Sequence, residues 1–174
     1  TGENNSQRSV GYGDGVYKST DGGTTWKKVG LEKSEHIGKI LVDPRDSNHL
    51  VVGGVVRGCS SGTGEVGALF TTADGGLTWT KRLADTQVHE IVQNPSTRDT
   101  WWAGTHRGVY RSTDNGVTWT NLQAPGLVGL ITVDSGGNIY VSVFEIGTGD
   151  AVYRSTNGGT TWTERPVSED DFHL

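Results

Sequence analysis

One eight-residue pattern occurs four times and restricts the fold more than any other feature of the chain. It reads "STDGGTTW" at 19–26, "TADGGLTW" at 72–79, "STDNGVTW" at 112–119 and "STNGGTTW" at 155–162. The closing tryptophans Trp26, Trp79, Trp119 and Trp162 are 53, 40 and 43 residues apart. Self-similarity at such a period marks a repeat architecture in which each unit buries its apolar face against a neighbour.

Each copy lies between two short segments rich in β-branched and aromatic residues. "GVYKS" (15–19), "ALFTT" (68–72), "GVYRS" (108–112) and "AVYRS" (151–155) precede it; "TWKKV", "TWTKRL", "TWTNL" and "TWTER" follow. Strand, tight turn and strand make a β-hairpin. Two further strands are predicted between successive hairpins: 36–44 with 49–56, 88–95 with 100–105, and 127–134 with 138–146. Asp43-Pro44, Asn94-Pro95 and Asp134-Ser135-Gly136 mark the turns within these pairs. No segment has a helical period. Four antiparallel strands per repeat of about 40 residues predict an all-β chain built as β-propeller blades.

The reading gives one partial propeller domain over 1–174, about three and a half blades in extent. Residues 1–14 are a poorly structured lead-in and 15–29 a half blade; 36–83, 88–122 and 127–165 are full blades. Residues 166–174 begin a further blade or form a tail. A ring this short leaves open sheet faces, so the rest of a larger propeller, or a second copy, is expected to complete it. The chain starts at Thr1 and has no methionine, as expected of a processed product or a piece of something longer.

The repeated Ser/Thr-x-Asp-x-Gly-x-Thr-Trp pattern resembles the Asp-box, or bacterial neuraminidase repeat. That repeat occurs in sialidases, xyloglucan-cleaving endoglucanases, sortilin-type receptors and photosystem assembly factors. All four turns carry the resemblance, with Thr72 replacing Ser in the second and Asn157 replacing Asp in the fourth. On physical grounds the turns are expected to be structural. Asp21, Asp74, Asp114 and Asn157 can accept backbone N–H groups of the turn that follows. Gly23, Gly76, Gly116 and Gly159 supply backbone angles that other residues resist. Trp26, Trp79, Trp119 and Trp162 are expected to bury their rings between neighbouring sheets. One carboxylate per turn is too few oxygens for calcium, so no metal is assigned. No cofactor is assigned either.

A ligand site is expected on the loops at the opposite end of the hairpin strands, because loops on a rigid scaffold carry binding disproportionately. Those loops read "RGCSSGTGEVG" (57–67), "HRG" (106–108) and "EIGTGD" (145–150). They contribute Arg57, Glu65, His106, Arg107, Glu145 and Asp150, with His36 and His89 near the central mouth. The histidines lack a zinc-type spacing. Cys59 is the sole cysteine and has no sequence-local base. Trp101-Trp102 point to opposite strand faces, which favours core over a sugar-stacking platform.

The resemblance to glycan-acting enzymes implies carboxyl pairs, and none can be assigned. "DPRDSNHLVVGG" (43–54) is similar to xyloglucanase-type enzymes. The Asp-Ile/Val-Gly-Gly element that carries an acid in that family has no counterpart, the corresponding loop reading "THRGVYRS" (105–112). No catalytic residue is therefore nominated. The expected function is non-catalytic binding of a glycan or protein, with a glycoside hydrolase fragment and an architectural subunit as alternatives. A net charge of -5 argues against nucleic acid as partner. No stretch approaches the roughly 18 apolar residues of a membrane span. The turn-rich composition and the resemblance point to an exported protein: extracellular, cell-surface or periplasmic.

Overall fold

The computed structural model describes residues 13–56, 67–84, 86–124, 126–145 and 149–165. All fourteen elements among them are strands. The chain divides into two compact units, 1–88 and 89–174.

In the first unit, β1 (Tyr17–Lys18) and β2 (Lys27–Lys28) form a two-stranded sheet. Its ladder continues past them, since Val16 N–H donates to the Gly30 carbonyl at 2.9 Å and Val29 N–H to Val16 at 2.8 Å. A four-stranded sheet follows in the order β3 (Ser34–Asp43), β4 (Asp46–Val56), β5 (Ala68–Thr72) and β6 (Thr80–Leu83). Every neighbour pair is antiparallel. Three register shifts interrupt β3 against β4, at Ser34/His36, Ile37/Lys39 and Val42/Asp43. Such bulges strengthen local twist. Val16, Ile37 and Val52 are buried together, with Val29, Leu31, Ile40 and Trp79 packed against them.

The second unit holds two four-stranded sheets. One comprises β7 (Val88–Gln93), which starts at the unit boundary, β8 (Trp101–Thr105), β9 (Gly108–Ser112) and β10 (Thr120–Asn121). The other comprises β11 (Leu127–Val133), β12 (Ile139–Glu145), β13 (Gly149–Ser155) and β14 (Thr163–Arg165). Trp102 and Val109 of the first meet Val128, Ile131, Ile139, Val141 and Val143 of the second in one core. The β12 residues in that core alternate along the strand, because successive side chains leave a strand on opposite faces. All five residues of β8 are buried, Trp101 and Trp102 included. Trp101 donates its indole N–H to Asn115 Oδ1 at 2.9 Å. Both rings are core.

One expected loop is paired as strand at both of its ends. "EIGTGD" (145–150) reads as a loop from its glycines, yet Glu145 pairs with Gly149 and Phe144 with Asp150 across β12 and β13. Glu145 and Asp150 are therefore strand residues. Continued backbone pairing outweighs the glycine signal at both positions.

Candidate functional site

The four repeated turns close on themselves through side chains. In the first, Ser19 Oγ accepts the Gly23 N–H at 2.8 Å and donates to Asp21 Oδ1 at 2.8 Å. Asp21 then accepts the Thr25 N–H on Oδ1 at 2.9 Å and the Thr25 hydroxyl on Oδ2 at 2.6 Å. Thr72, Asp74, Gly76 and Thr78 repeat this arrangement, as do Ser112, Asp114, Gly116 and Thr118. In the fourth turn Asn157 Oδ1 accepts the Thr161 N–H at 2.9 Å, and Nδ2 donates to Thr161 Oγ1 at 2.8 Å. The amide keeps the geometry and reverses the direction of one bond.

Two consecutive left-handed residues make each turn. Gly22, Gly75, Asn115 and Gly158 have φ between 57° and 73°, and the glycines after them have φ between 83° and 97°. Asn is among the few side chains that adopt this conformation readily. At Gly76 and Gly159 a side chain would also collide with a neighbour. A Cβ on Gly76 would lie 2.8 Å from Val29 Cβ, and one on Gly159 would strike Leu122 Cδ1.

These hydrogen bonds fix the chemistry of the carboxylates. The hydroxyl of the following threonine, then its backbone N–H, holds Asp21 and Asp114 down to about 2. The same donors from Thr78 push Asp74 well below the usual carboxylate range. Carboxylates ionised this firmly cannot serve as general acids near neutral pH.

The tryptophans differ from the sequence expectation. Trp26 is 63% exposed, and Trp79, Trp119 and Trp162 are half-buried. Trp26 and Trp119 turn their indole N–H groups onto their own turns, donating to Gly23 O and Gly116 O at 3.0 and 2.9 Å. Trp79 reaches 50 residues back, donating to the Val29 carbonyl at 2.6 Å. Trp162 packs against the second unit's core, with its buried Nε1 unpaired among the described residues. Burial of a repeat tryptophan thus depends on the sheet presented to it as well as on the motif.

Of the nominated ligand residues, Arg57 and Glu65 lie outside the described residues, as does Cys59. Only the backbone of Glu145 and Asp150 is described. His36 lies on β3 of the first unit. In the second unit, His89 on β7 and His106 in the β8–β9 turn meet: His89 Nε2 is 3.2 Å from His106 Nδ1. Their ring centroids are 5.3 Å apart. Neighbouring bonds brace that turn. Thr105 Oγ1 donates to Gly108 O at 2.8 Å and accepts the Arg107 N–H at 3.0 Å, and Asn121 Nδ2 donates to Arg107 O at 3.2 Å. The sequence nominates both histidines without joining them. Among the described residues no group of three or more His, Cys, Asp and Glu could hold a metal ion.

The BNR/Asp-box repeat family model matches residues 17–28 and 110–121. Three solved structures share the fold. An ancestral GH74 enzyme aligns at a TM-score of 0.72 and 22% identity, over 90% of this chain and 23% of that one. The GH74 xyloglucanase from Xanthomonas campestris aligns at 0.66 and 18%, over 88% and 28%. YCF48 from Cyanidioschyzon merolae aligns at 0.56 and 26%, over 80% and 39%. The chain therefore spans less than half the length of each. No curated protein sequence matches it. Four box hairpins on antiparallel sheets define an all-β partial propeller of four-stranded blades. More particularly, the chain carries Asp-box repeats on a β-propeller fold resembling that of the GH74 enzymes.

Proposed function

We propose that the chain is a non-catalytic binding segment of an exported propeller protein, taking a glycan or another protein on the loops remote from its Asp boxes. The box residues themselves serve the fold. The observation that carries this reading is the saturation of Asp21, Asp74 and Asp114 by donors of their own turns. A glycosidase of the usual kind needs two carboxyl groups roughly 5–10 Å apart, one free to donate a proton. The box carboxylates are unsuited to that task. The polar groups proposed for binding are His36 in the first unit and His89, His106 and Arg107 in the second. Arg57, Glu65, Glu145 and Asp150 stand as further nominees. A structure of YCF48 bound to D1 peptide shares the fold, at a TM-score of 0.52 over 76% of this chain, and supports a protein ligand.

The fold likeness to GH74 enzymes favours one competing reading, a fragment of a glycoside hydrolase whose acids lie elsewhere. Incubation with xyloglucan and sialylated glycans, alongside binding measurements on glycan and peptide arrays, separates the two. Binding without new reducing ends or released sialic acid is the expected result, weakened by Arg107→Ala. Release of either product overturns the non-catalytic reading.

A further inference from the structure

The contact between His89 and His106 serves neither the sheet ladder nor the hydrophobic core. We infer that these two side chains bind a Zn²⁺ ion through His89 Nε2 and His106 Nδ1, leaving two coordination positions open to solvent or ligand oxygen.

The distance is the first argument. Two zinc–nitrogen bonds of about 2.0–2.1 Å at a tetrahedral angle put their nitrogens about 3.3–3.4 Å apart. A cis pair in a square plane sits closer, at about 2.8–3.0 Å. The observed 3.2 Å is nearer the tetrahedral value. Zinc can therefore enter with little movement of either ring.

Protonation is the second. Two neutral imidazoles in contact share one proton, so one nitrogen already directs a lone pair at the other. Moving that proton to the far nitrogen of its own ring frees both lone pairs.

Access and rigidity complete the case. His106 is exposed on a two-residue turn, where a hydrated ion can reach it. The turn is held by the Thr105 and Asn121 bonds and by β8–β9 pairing through Thr105 and Gly108. With two protein ligands the site is weaker than a four-ligand structural zinc, and it keeps the open positions of a reactive or bridging one.

Titration of the purified chain with ZnCl₂ by calorimetry tests this. One ion per chain is expected, with His89→Gln and His106→Gln each lowering affinity at least about tenfold. Circular dichroism checks that both variants fold. Cu²⁺ as a spectroscopic probe should report two nitrogen donors by electron paramagnetic resonance, and one in either variant. Absence of saturable Zn²⁺ binding overturns the inference. So does unchanged binding in either variant, which would place the ion elsewhere.

Discussion

The hairpins ending in Trp79 and Trp162 follow one pattern and dock in two different ways. In the first unit, Gly76 sits against Val29, and the Trp79 indole donates to the Val29 carbonyl. In the second, Gly159 sits against Leu122, and the buried Nε1 of the half-buried Trp162 has no acceptor among the described residues. Both receiving residues lie three positions after the tryptophan of the preceding repeat. The first junction thus combines contact with a hydrogen bond, whereas the second relies on apolar contact and carries an unpaired donor. Shape complementarity at the box glycine is the common requirement, and the indole bond is an addition.

The largest test of this comparison is at the glycines. Gly76→Ala should cost about 2–4 kcal/mol, combining left-handed strain with overpacking. Gly159→Ala should cost less, because the obstructing Leu122 tip is flexible while Val29 is β-branched and its carbonyl also lies near. Urea denaturation of both variants checks the order; equal losses would show that strain alone decides. Next come the indoles. Trp79→Phe should destabilise about 1–2 kcal/mol more than Trp162→Phe, since only the former breaks a hydrogen bond. Thermal or urea unfolding gives the difference, and reversal of the order would break the comparison.

The smallest effect at neutral pH concerns Asp74 against Asn157. Asp21, Asp74 and Asp114 all have folded-state values below the unfolded carboxylate value of about 3.9. Their contribution to stability is complete above that value and is lost as pH falls through the folded one. The window runs from about 4 down to about 2, and lower for Asp74. Asn157 does not titrate. Asn157→Asp should therefore steepen the acid loss of stability, and Asp74→Asn should flatten it. Urea midpoints measured at about pH 5 and about pH 2.5 check both slopes.

Much of this was legible in the residues. The box pattern locates each of the four hairpins because Ser/Thr, Asp (or Asn) and Thr satisfy the turn from within eight residues. Trp101-Trp102 read as core because adjacent strand positions face opposite ways. What failed depended on neighbours. Trp26 carries the same motif as Trp79 yet is exposed, and nothing local to it distinguishes the two. Glu145 and Asp150 read as loop because of the glycines near them, whereas their backbones pair within β12 and β13. The meeting of His89 with His106 had a usable signal: antiparallel pairing of β7 with β8 sets the start of one beside the end of the other. The 17-residue separation hid it, because zinc patterns are usually sought at short spacing.

The self-closing turn also bears on how the chain acquires its structure. Its hydrogen bonds join residues two to four apart, so a hairpin can assemble before distant segments meet, with little loop entropy to overcome. Low sequence separation of this kind speeds folding, and hairpins form within about 1–10 μs. Each box is thus suited to act as a nucleation point. Docking of the glycine onto Val29 or Leu122 then becomes the later, slower event that commits one repeat to the next.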